Sequence, residues 1–364
     1  MVEKVLAAVS FEGLMTEIRE FEMPKVSADD GILRVEAVGV CGTDWPLYQN
    51  TKNPRILGHH VIGHVEKIGK NAAKRWGVKE GDRVTLEEYI PCGACHFCRM
   101  GEFRMCPETD LWRGSYRYGC SPISTAPALY GGYSQYMYLH PNTVLHKQPT
   151  YVPADQAALA LPVSNGFEWA CIDGGAGVGK TVVIQGPGQL GLSCAMAAKA
   201  AGADQVIISG LSADKDRLDV AKKIGADHTV DVQEVDLVER VHEITGGKMA
   251  DLVIDCSAGG ASVILSSINV VKHKGTILLG GYKHKPIPEF YSDELIKKCI
   301  TMKGVRGHGY QSVEMAIEVI ASGKYPLNEL CTHTFSLSEV DYAMKTVAGK
   351  GAKGAISSTV LPWG

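Results

Sequence analysis

No stretch of this sequence is apolar for long enough to cross a bilayer as a helix, so a membrane span is not expected. It also lacks an excess of either charge: 37 Lys and Arg stand against 40 Asp and Glu, a formal net charge of -3. That balance leaves no broad basic field for nucleic acid or an anionic membrane. Internal repeats and low-complexity linkers are missing as well. So is a signal-like start, because residues 1–24 interleave Glu3, Lys4, Glu12, Glu17, Arg19 and Glu20 with apolar residues in a strand-like alternation. A cytoplasmic protein is the expectation, with neither nucleic acid nor membrane as partner.

What the sequence does have is length and cysteine. Its 364 residues predict two domains rather than one oversized core. Eleven cysteines, an odd number, cannot all pair as disulfides, and four of them crowd between Cys92 and Cys106. Without a secretory signal, such a cluster favours metal over disulfides.

The texture changes along the chain. Residues 1–150 carry short strand patterns broken by Gly and Pro, at Leu33–Val40, Val61–Ile68, Asp82–Leu86 and Tyr133–Leu139. After about residue 153, apolar strands alternate with helices: Thr181–Gln185, then helix Gln189–Ala201, strand Gln205–Ser209, helix Arg217–Ile224, and strands Asp251–Asp255 and Gly275–Leu279. That alternation predicts an α/β domain with a doubly wound parallel sheet beside an irregular, mostly β domain. An amphipathic helix at Val313–Ala321 and strands at Thr332–Ser336 and Ala355–Val360 fit either domain.

Cys92, Cys95, Cys98 and Cys106 offer four thiolates within fifteen residues, enough to close a tetrahedral shell around zinc. A closed shell leaves no position for substrate, so this zinc is structural; an iron–sulfur cluster is the lesser alternative. Gly186, Gly188 and Gly191, with Pro187, Gln189 and Leu190 between them, follow an apolar strand and open a helix. There the first Gly makes a tight turn, the second admits a pyrophosphate, and the third lets helix pack on strand. Just upstream, Gly174 to Thr181 spells the letters of a nucleotide P-loop. A P-loop must follow a strand and open a helix; here a helix is predicted before it and a strand after it, so it reads as a turn. Lastly, Cys41, Thr43 and Asp44 precede Gly58-His59-His60, and a Cys and a His far apart in sequence can serve an open, catalytic zinc.

Together these residues resemble the medium-chain zinc-dependent alcohol dehydrogenase family, especially its polyol and threonine dehydrogenase-like branch. The pieces that carry the resemblance are Gly39-Val-Cys41-Gly-Thr43-Asp44, Gly58-His59 with Gly63 and Gly69, Gly81-Asp82-Arg83-Val84, the four-cysteine lobe, Gly131-Gly132-Tyr133 and the Gly186–Gly191 turn. It spans the chain from about residue 5 to the end. It implies a discontinuous GroES-like catalytic domain (1–153 and 304–364, zinc lobe 91–107) around a Rossmann domain (154–303), in a homodimer or homotetramer. It further implies that Cys41 and His59 ligate catalytic zinc, that Thr43 passes the substrate proton and that Asp44 orients the histidine. The alcohol would then give its hydride to the nicotinamide ring.

Three departures qualify the resemblance. The usual Gly-His-Glu is Gly58-His59-His60, and the position that often supplies a third ligand is Leu161, which cannot bind metal. A Cys41–His59–His60 site completed by water repairs the loss, and loss of the zinc is the rival. The acidic residue expected to hold the ribose diol is Gly210, with Ser212, Lys215 and Arg217 nearby, so NAD and NADP both stay open.

The predicted activity is reversible hydride transfer between NAD(P) and a small-molecule alcohol or carbonyl. The alcohol is expected to be secondary, and bulky or apolar if Trp45, Tyr48, Trp112, Tyr116, Tyr118 and Tyr130 line the cleft. One alternative is a zinc-independent reductase of a conjugated C=C or C=N bond. Another is a non-catalytic protein that keeps the nucleotide site.

Overall fold

The computed structural model describes residues 4–113 and 116–364, with only the backbone of Trp112. The chain forms two compact units, one of residues 1–161, 320–322 and 331–364, the other of 162–319 and 323–330.

In the first unit, strands Gly31–Gly39, His60–Ile68 and Arg83–Leu86 pair antiparallel at the centre of a mostly antiparallel sheet. Strand Ser357–Leu361, from the end of the chain, pairs antiparallel with Gly31–Gly39, which makes this unit discontinuous as expected. Its core joins Val5, Ile32, Leu33, Val61, Leu86 and Met137 with Phe335, Val340 and Met344 from the C-terminal segment. Burial alternates over Leu33–Ala37 and over Gly63–Glu66, the two-residue period of a pleated strand, and is continuous over Val38–Gly39 and His60–Ile62.

The second unit is a six-stranded parallel sheet. In spatial order its strands are His228–Asp231, Gln205–Gly210, Thr181–Gln185, Ala250–Asp255, Val271–Leu279 and Thr301–Gly304. This 3-2-1-4-5-6 order is that of the Rossmann fold, with its switch point between Thr181–Gln185 and Ala250–Asp255. Val183, Ile207, Val253 and Ile277 fill the sheet's interior as near-continuous apolar runs, as parallel strands buried on both faces require.

The expected limits of the nucleotide domain, 154 and 303, differ from the compact units. Helix Tyr310–Ala321 groups with the Rossmann unit up to Val319. The approach to this helix is tied there: Trp169 Nε1 donates to the Gly307 carbonyl at 3.1 Å, and the Gly309 N–H donates to Glu168 at 2.9 Å. The P-loop look-alike follows the helical turn Glu168–Asp173 and ends on strand Thr181–Gln185. Its Lys180 lies 3.5 Å from Asp251, at the amino-terminal edge of the sheet.

Candidate active site and metal centres

Cys92 and Cys106 bracket a lobe with little core of its own. Gly93 and Gly101 adopt left-handed φ of 72° and 80°, curling the chain so that all four sulfurs lie within 4.8 Å of one another. Zinc–thiolate bonds of about 2.3 Å in a tetrahedron set sulfurs roughly 3.8 Å apart. Here Cys95 and Cys98 are 3.5 Å apart and Cys92 and Cys98 4.0 Å, too far for a disulfide and right for a shared metal. The Ala94 and Cys95 N–H groups point at the Cys92 sulfur and draw its pKa down to about 7, while burial pushes Cys98 up to about 12. The lobe is fastened to the strand end before it. Thr109 Oγ1 accepts from the Ile90 N–H at 2.9 Å, and the Tyr89 and Phe103 rings meet edge-on at 5.7 Å.

The second donor cluster is Cys41, His59 and His60, again within 4.8 Å of one another. Gly58, at φ 87°, turns the chain just before strand His60–Ile68. Without that turn, successive side chains would point to opposite faces. With it, the two imidazoles meet edge-on, their centroids 4.6 Å apart. Gly58 has no room for a side chain, because a Cβ would stand 2.8 Å from the Tyr133 ring.

Buried Asp44 orients His59 from behind. Its Oδ1 lies 3.2 Å from His59 Nδ1, a contact of charge rather than a well-directed hydrogen bond. Its Oδ2 accepts from the Cys41 N–H at 3.0 Å and from the Tyr133 hydroxyl at 2.8 Å. Burial opposes the carboxylate's charge, yet His59 and these two donors hold Asp44 below its ordinary range. His59 Nε2 therefore faces the space between the ligands, with Thr43 Oγ1 at 3.4 Å on the exposed side. The same hydroxyl donates to Cys41 Sγ at 3.2 Å. Burial alone would raise the Cys41 thiol; the two imidazoles outweigh it and hold the pKa at about 5. His59 shifts well above the usual histidine value because Asp44, Cys41 and Glu88 overcome its desolvation. His60 Nδ1 is buried with no hydrogen-bond partner. A thiolate with two convergent buried imidazoles is a donor set suited to zinc.

One residue at this centre escaped the sequence reading. Glu88 Oε2 sits 3.5 Å from His59 Nε2, and Arg117 grips its other oxygen. In sequence the two look like ordinary surface charges, and no motif marks them. Leu161, by contrast, is simply buried and apolar.

The aromatic residues expected in the cleft do other work. Tyr48, Tyr118 and Tyr130 belong to the core of the first unit, and Trp45 packs on that core. The Tyr118 hydroxyl pairs with Thr143 at 2.6 Å, and that of Tyr48 with Asp341 at 2.5 Å. Tyr116 is exposed, and the Trp112 side chain lies outside the described residues. These rings carry no argument for a bulky apolar substrate.

In the Rossmann unit, Gly186 turns with φ 104° at the end of its strand, and Gly188 caps helix Gln189–Ala200. A Cβ at Gly191 would fall 1.9 Å from the Gly186 carbonyl, whereas one at Gly188 would meet nothing within 4 Å. Gln189 and Leu190 stand half-buried in the first helical turn, whose N–H groups suit an anion. Gly210 ends the second strand. Beyond it Ser212 and Lys215 are exposed, and Arg217 is tied to Asp214 at 3.4 Å. A cavity of about 480 Å³ beside Lys180, Asp251 and Lys272 lies at the opposite, amino-terminal edge of the sheet, away from this turn.

Residues 27–150 match the alcohol dehydrogenase GroES-like domain and residues 190–322 the zinc-binding dehydrogenase domain. A probable alcohol dehydrogenase of Mycobacterium tuberculosis is 34% identical over 339 residues, 92% of this chain and 91% of that protein. An erythritol/L-threitol dehydrogenase of Mycolicibacterium smegmatis is 30% identical over 376 residues, 99% of this chain and 98% of that one. The crystal structure of an alcohol dehydrogenase from Thermotoga maritima matches with a TM-score of 0.88 at 26% identity, covering 99% of this chain and 100% of that chain.

Proposed function

The chain belongs to the zinc-dependent medium-chain alcohol dehydrogenases, in their polyol and threonine dehydrogenase-like branch, and on that premise we propose that Cys41, His59 and His60 hold its catalytic zinc. Membership makes it an oxidoreductase acting on CH–OH groups. The zinc-independent reductase and the non-catalytic protein find no favour among these relatives. Among the described residues, no helix is long and apolar enough to cross a membrane.

The observation that carries the proposal is the convergence of one thiolate and two buried imidazoles, with the buried His60 Nδ1 unpartnered. Zinc held there supplies Lewis acidity that eases loss of the alcohol proton, and a nicotinamide dinucleotide supplies the hydride acceptor. The chain's own residues do the rest. Asp44 fixes the ring of His59, Tyr133 and the Cys41 N–H fix Asp44, and the Thr43 hydroxyl stands at the exposed edge to pass the substrate proton. With one thiolate and two neutral imidazoles, a Zn²⁺ site carries a net charge of about +1. The turn at Gly186, Gly188 and Gly191, with Gln189 and Leu190, receives the pyrophosphate. Gly210, Ser212, Lys215 and Arg217 border the adenosine ribose of NAD or NADP. Cys92, Cys95, Cys98 and Cys106 hold a second, structural zinc. The assembly is a homodimer or homotetramer, working in the cytoplasm.

Metal analysis of wild type and His60→Ala, with an alcohol and ketone panel run with NAD and NADP, tests this reading. Two zincs per wild-type chain are expected, falling towards one in the variant with loss of alcohol oxidation. A fully active wild type with a single zinc, or a variant that keeps both, refutes it.

A further inference from the structure

The phosphate-loop look-alike, Gly174 to Thr181, has no part in the dinucleotide turn, yet its Lys180 lines the cavity of about 480 Å³ at the other edge of the same sheet. Three adjacent strands build that cavity, with Ala250–Asp255 between Thr181–Gln185 and Val271–Leu279. Ala250 pairs with Val271, but Leu252 pairs with Thr276, so Asp251 alone stands opposite residues Lys272 to Gly275. The extra residues form a bulge, a device that re-aims side chains. Gly275 closes it: a Cβ there would meet Val271 Cγ2 at 2.4 Å and the Asp251 carbonyl at 3.0 Å. The bulge thereby brings Lys272, His273 and Lys274 to the cavity, where Asp251 is the one acidic lining residue among those described. Asp251 accepts from the Thr181 N–H at 3.0 Å and lies 2.6 Å from Lys272 Nζ and 3.5 Å from Lys180 Nζ. Burial opposes its charge, yet Lys272, the Thr181 N–H and Lys180 hold its pKa below the ordinary carboxylate range. One carboxylate thus anchors two ammonium groups. Exposed Lys274 adds a third and has no acidic partner among the described residues. Its backbone is left-handed, φ 58°, which is sterically costly for any residue with a side chain. The nearby Asp173 is already paired, with Lys303 at 2.5 Å.

We propose that this cavity is a second anion site, which takes a diphosphate group, either free or carried on a nucleotide. Its lining bears a formal charge of roughly +2, three ammonium groups less one carboxylate, inside a concave surface that focuses the field. Cations flank the middle strand on both sides. Strands lie about 4.8 Å apart, so the Lys180 and Lys272 backbones are separated by about 10 Å, more than one phosphate spans. Ammonium groups donate strong, charge-assisted hydrogen bonds to phosphate oxygens. Lys180 and Lys272 are already held by Asp251, which lessens the side-chain freedom lost on binding. A true phosphate loop cradles its anion with backbone N–H groups at a helix start, whereas here a strand follows Lys180 directly and side-chain charge does the binding. The site stands apart from the dinucleotide turn, at the opposite end of the same strands, and does not rest on the dehydrogenase reading.

Titration calorimetry at constant ionic strength tests it, with inorganic pyrophosphate, inorganic phosphate and ADP as probes of wild type, Lys180→Met, Lys272→Met and Lys274→Gly. Wild type is expected to bind pyrophosphate at least about tenfold more tightly than phosphate. Each single substitution should weaken pyrophosphate by about threefold to tenfold, and Lys272→Met combined with Lys274→Gly by more than about thirtyfold. ADP weakened by the same substitutions assigns the diphosphate to a nucleotide; ADP indifferent to them, while pyrophosphate responds, assigns the site to the free anion. Zinc content is measured after each titration, because pyrophosphate chelates metal. Glycine adopts the left-handed backbone of residue 274 without strain, so Lys274→Gly should keep the wild-type melting temperature. That variant carries the comparison should Lys272→Met, which removes a partner of Asp251, not fold. Absence of pyrophosphate binding overturns the inference, as does phosphate binding as tightly as pyrophosphate. Pyrophosphate binding that ignores all three lysines overturns it too, since the anion then sits at the dinucleotide turn or on zinc.

Discussion

Gly188 and Gly191 lie three residues apart in one turn, yet alanine at each should fail in opposite ways. At Gly191 an added Cβ falls 1.9 Å from the Gly186 carbonyl oxygen, roughly an ångström short of a tolerable contact. Relief by movement is obstructed: Gly186 sits at φ 104° in a turn already crowded by Ser257, whose backbone would stand 3.0 Å from a Cβ at Gly186. Overpacking of this kind costs about 1–3 kcal/mol, so Gly191→Ala should lower the melting temperature of the Rossmann unit. At Gly188 a Cβ meets nothing within 4 Å, and φ of -73° suits any residue. Gly188→Ala should therefore leave stability within about 0.5 kcal/mol of wild type. Its methyl group enters the space assigned to the pyrophosphate, so affinity for NADH and NADPH should fall at least about tenfold, or 1.4 kcal/mol. Differential scanning calorimetry and fluorescence titration with both dinucleotides measure the two effects. Unaltered binding by Gly188→Ala, or an unshifted melting temperature for Gly191→Ala, refutes this account of the turn.

Two further outcomes are expected. Cys98→Ser should lose the lobe zinc and destabilise the fold, since closing the shell contributes folding free energy; full zinc content with an unchanged melting temperature speaks against a structural metal. Uptake of the catalytic zinc at pH 7 should release protons. His59, whose pKa is raised by Asp44, Cys41 and Glu88, is a source of them, whereas Cys41 at about 5 is already a thiolate. Apparent affinity should then rise with pH above 7 and fall more steeply near 5, where the thiolate also protonates. Titration calorimetry in two buffers of different ionisation enthalpy, after selective removal of that zinc, reads the proton count, and zero release contradicts the assignment.

The sequence showed most clearly what is local. Four cysteines within fifteen residues need only a curled loop to meet, and the glycines of the dinucleotide turn sit at a strand–helix junction that periodicity already marks. His60 is harder, because adjacent strand residues diverge; the left-handed backbone at Gly58 accompanies its convergence on Cys41 and His59, and φ is not written in the letters. Glu88 and Arg117 were invisible for another reason. They stand 29 positions apart and meet through a backbone bridge, while the neighbouring Glu87 turns to His146 at 3.0 Å instead. Nothing in Glu87-Glu88-Tyr89 says which glutamate faces which side. The aromatic loop misleads through composition: its Tyr118 and Tyr130 pack into the core of the first unit, while Tyr116 is exposed. The boundary expected at 304 is the least marked in the letters, because Tyr310–Ala321 is amphipathic and would suit either sheet.

The fastening of the zinc lobe to the strand end has a consequence for how such an enzyme diversifies. Glu88, the four lobe cysteines and Arg117 lie on one uninterrupted stretch of thirty residues. Both ends of that stretch are pinned, by the Tyr89–Arg117 bridge and by the Ile90 N–H bonded to Thr109. The lobe thus behaves as a cassette: the four cysteines gather its frame, and the frame sets Glu88 beside His59. Exchanging residues 88–117 between relatives would carry the cysteine lobe and the Glu88–Arg117 pair together. Loosening the lobe would reach the Glu88–Arg117 pair before it reached Cys41 and His59, which stand on other segments of the chain.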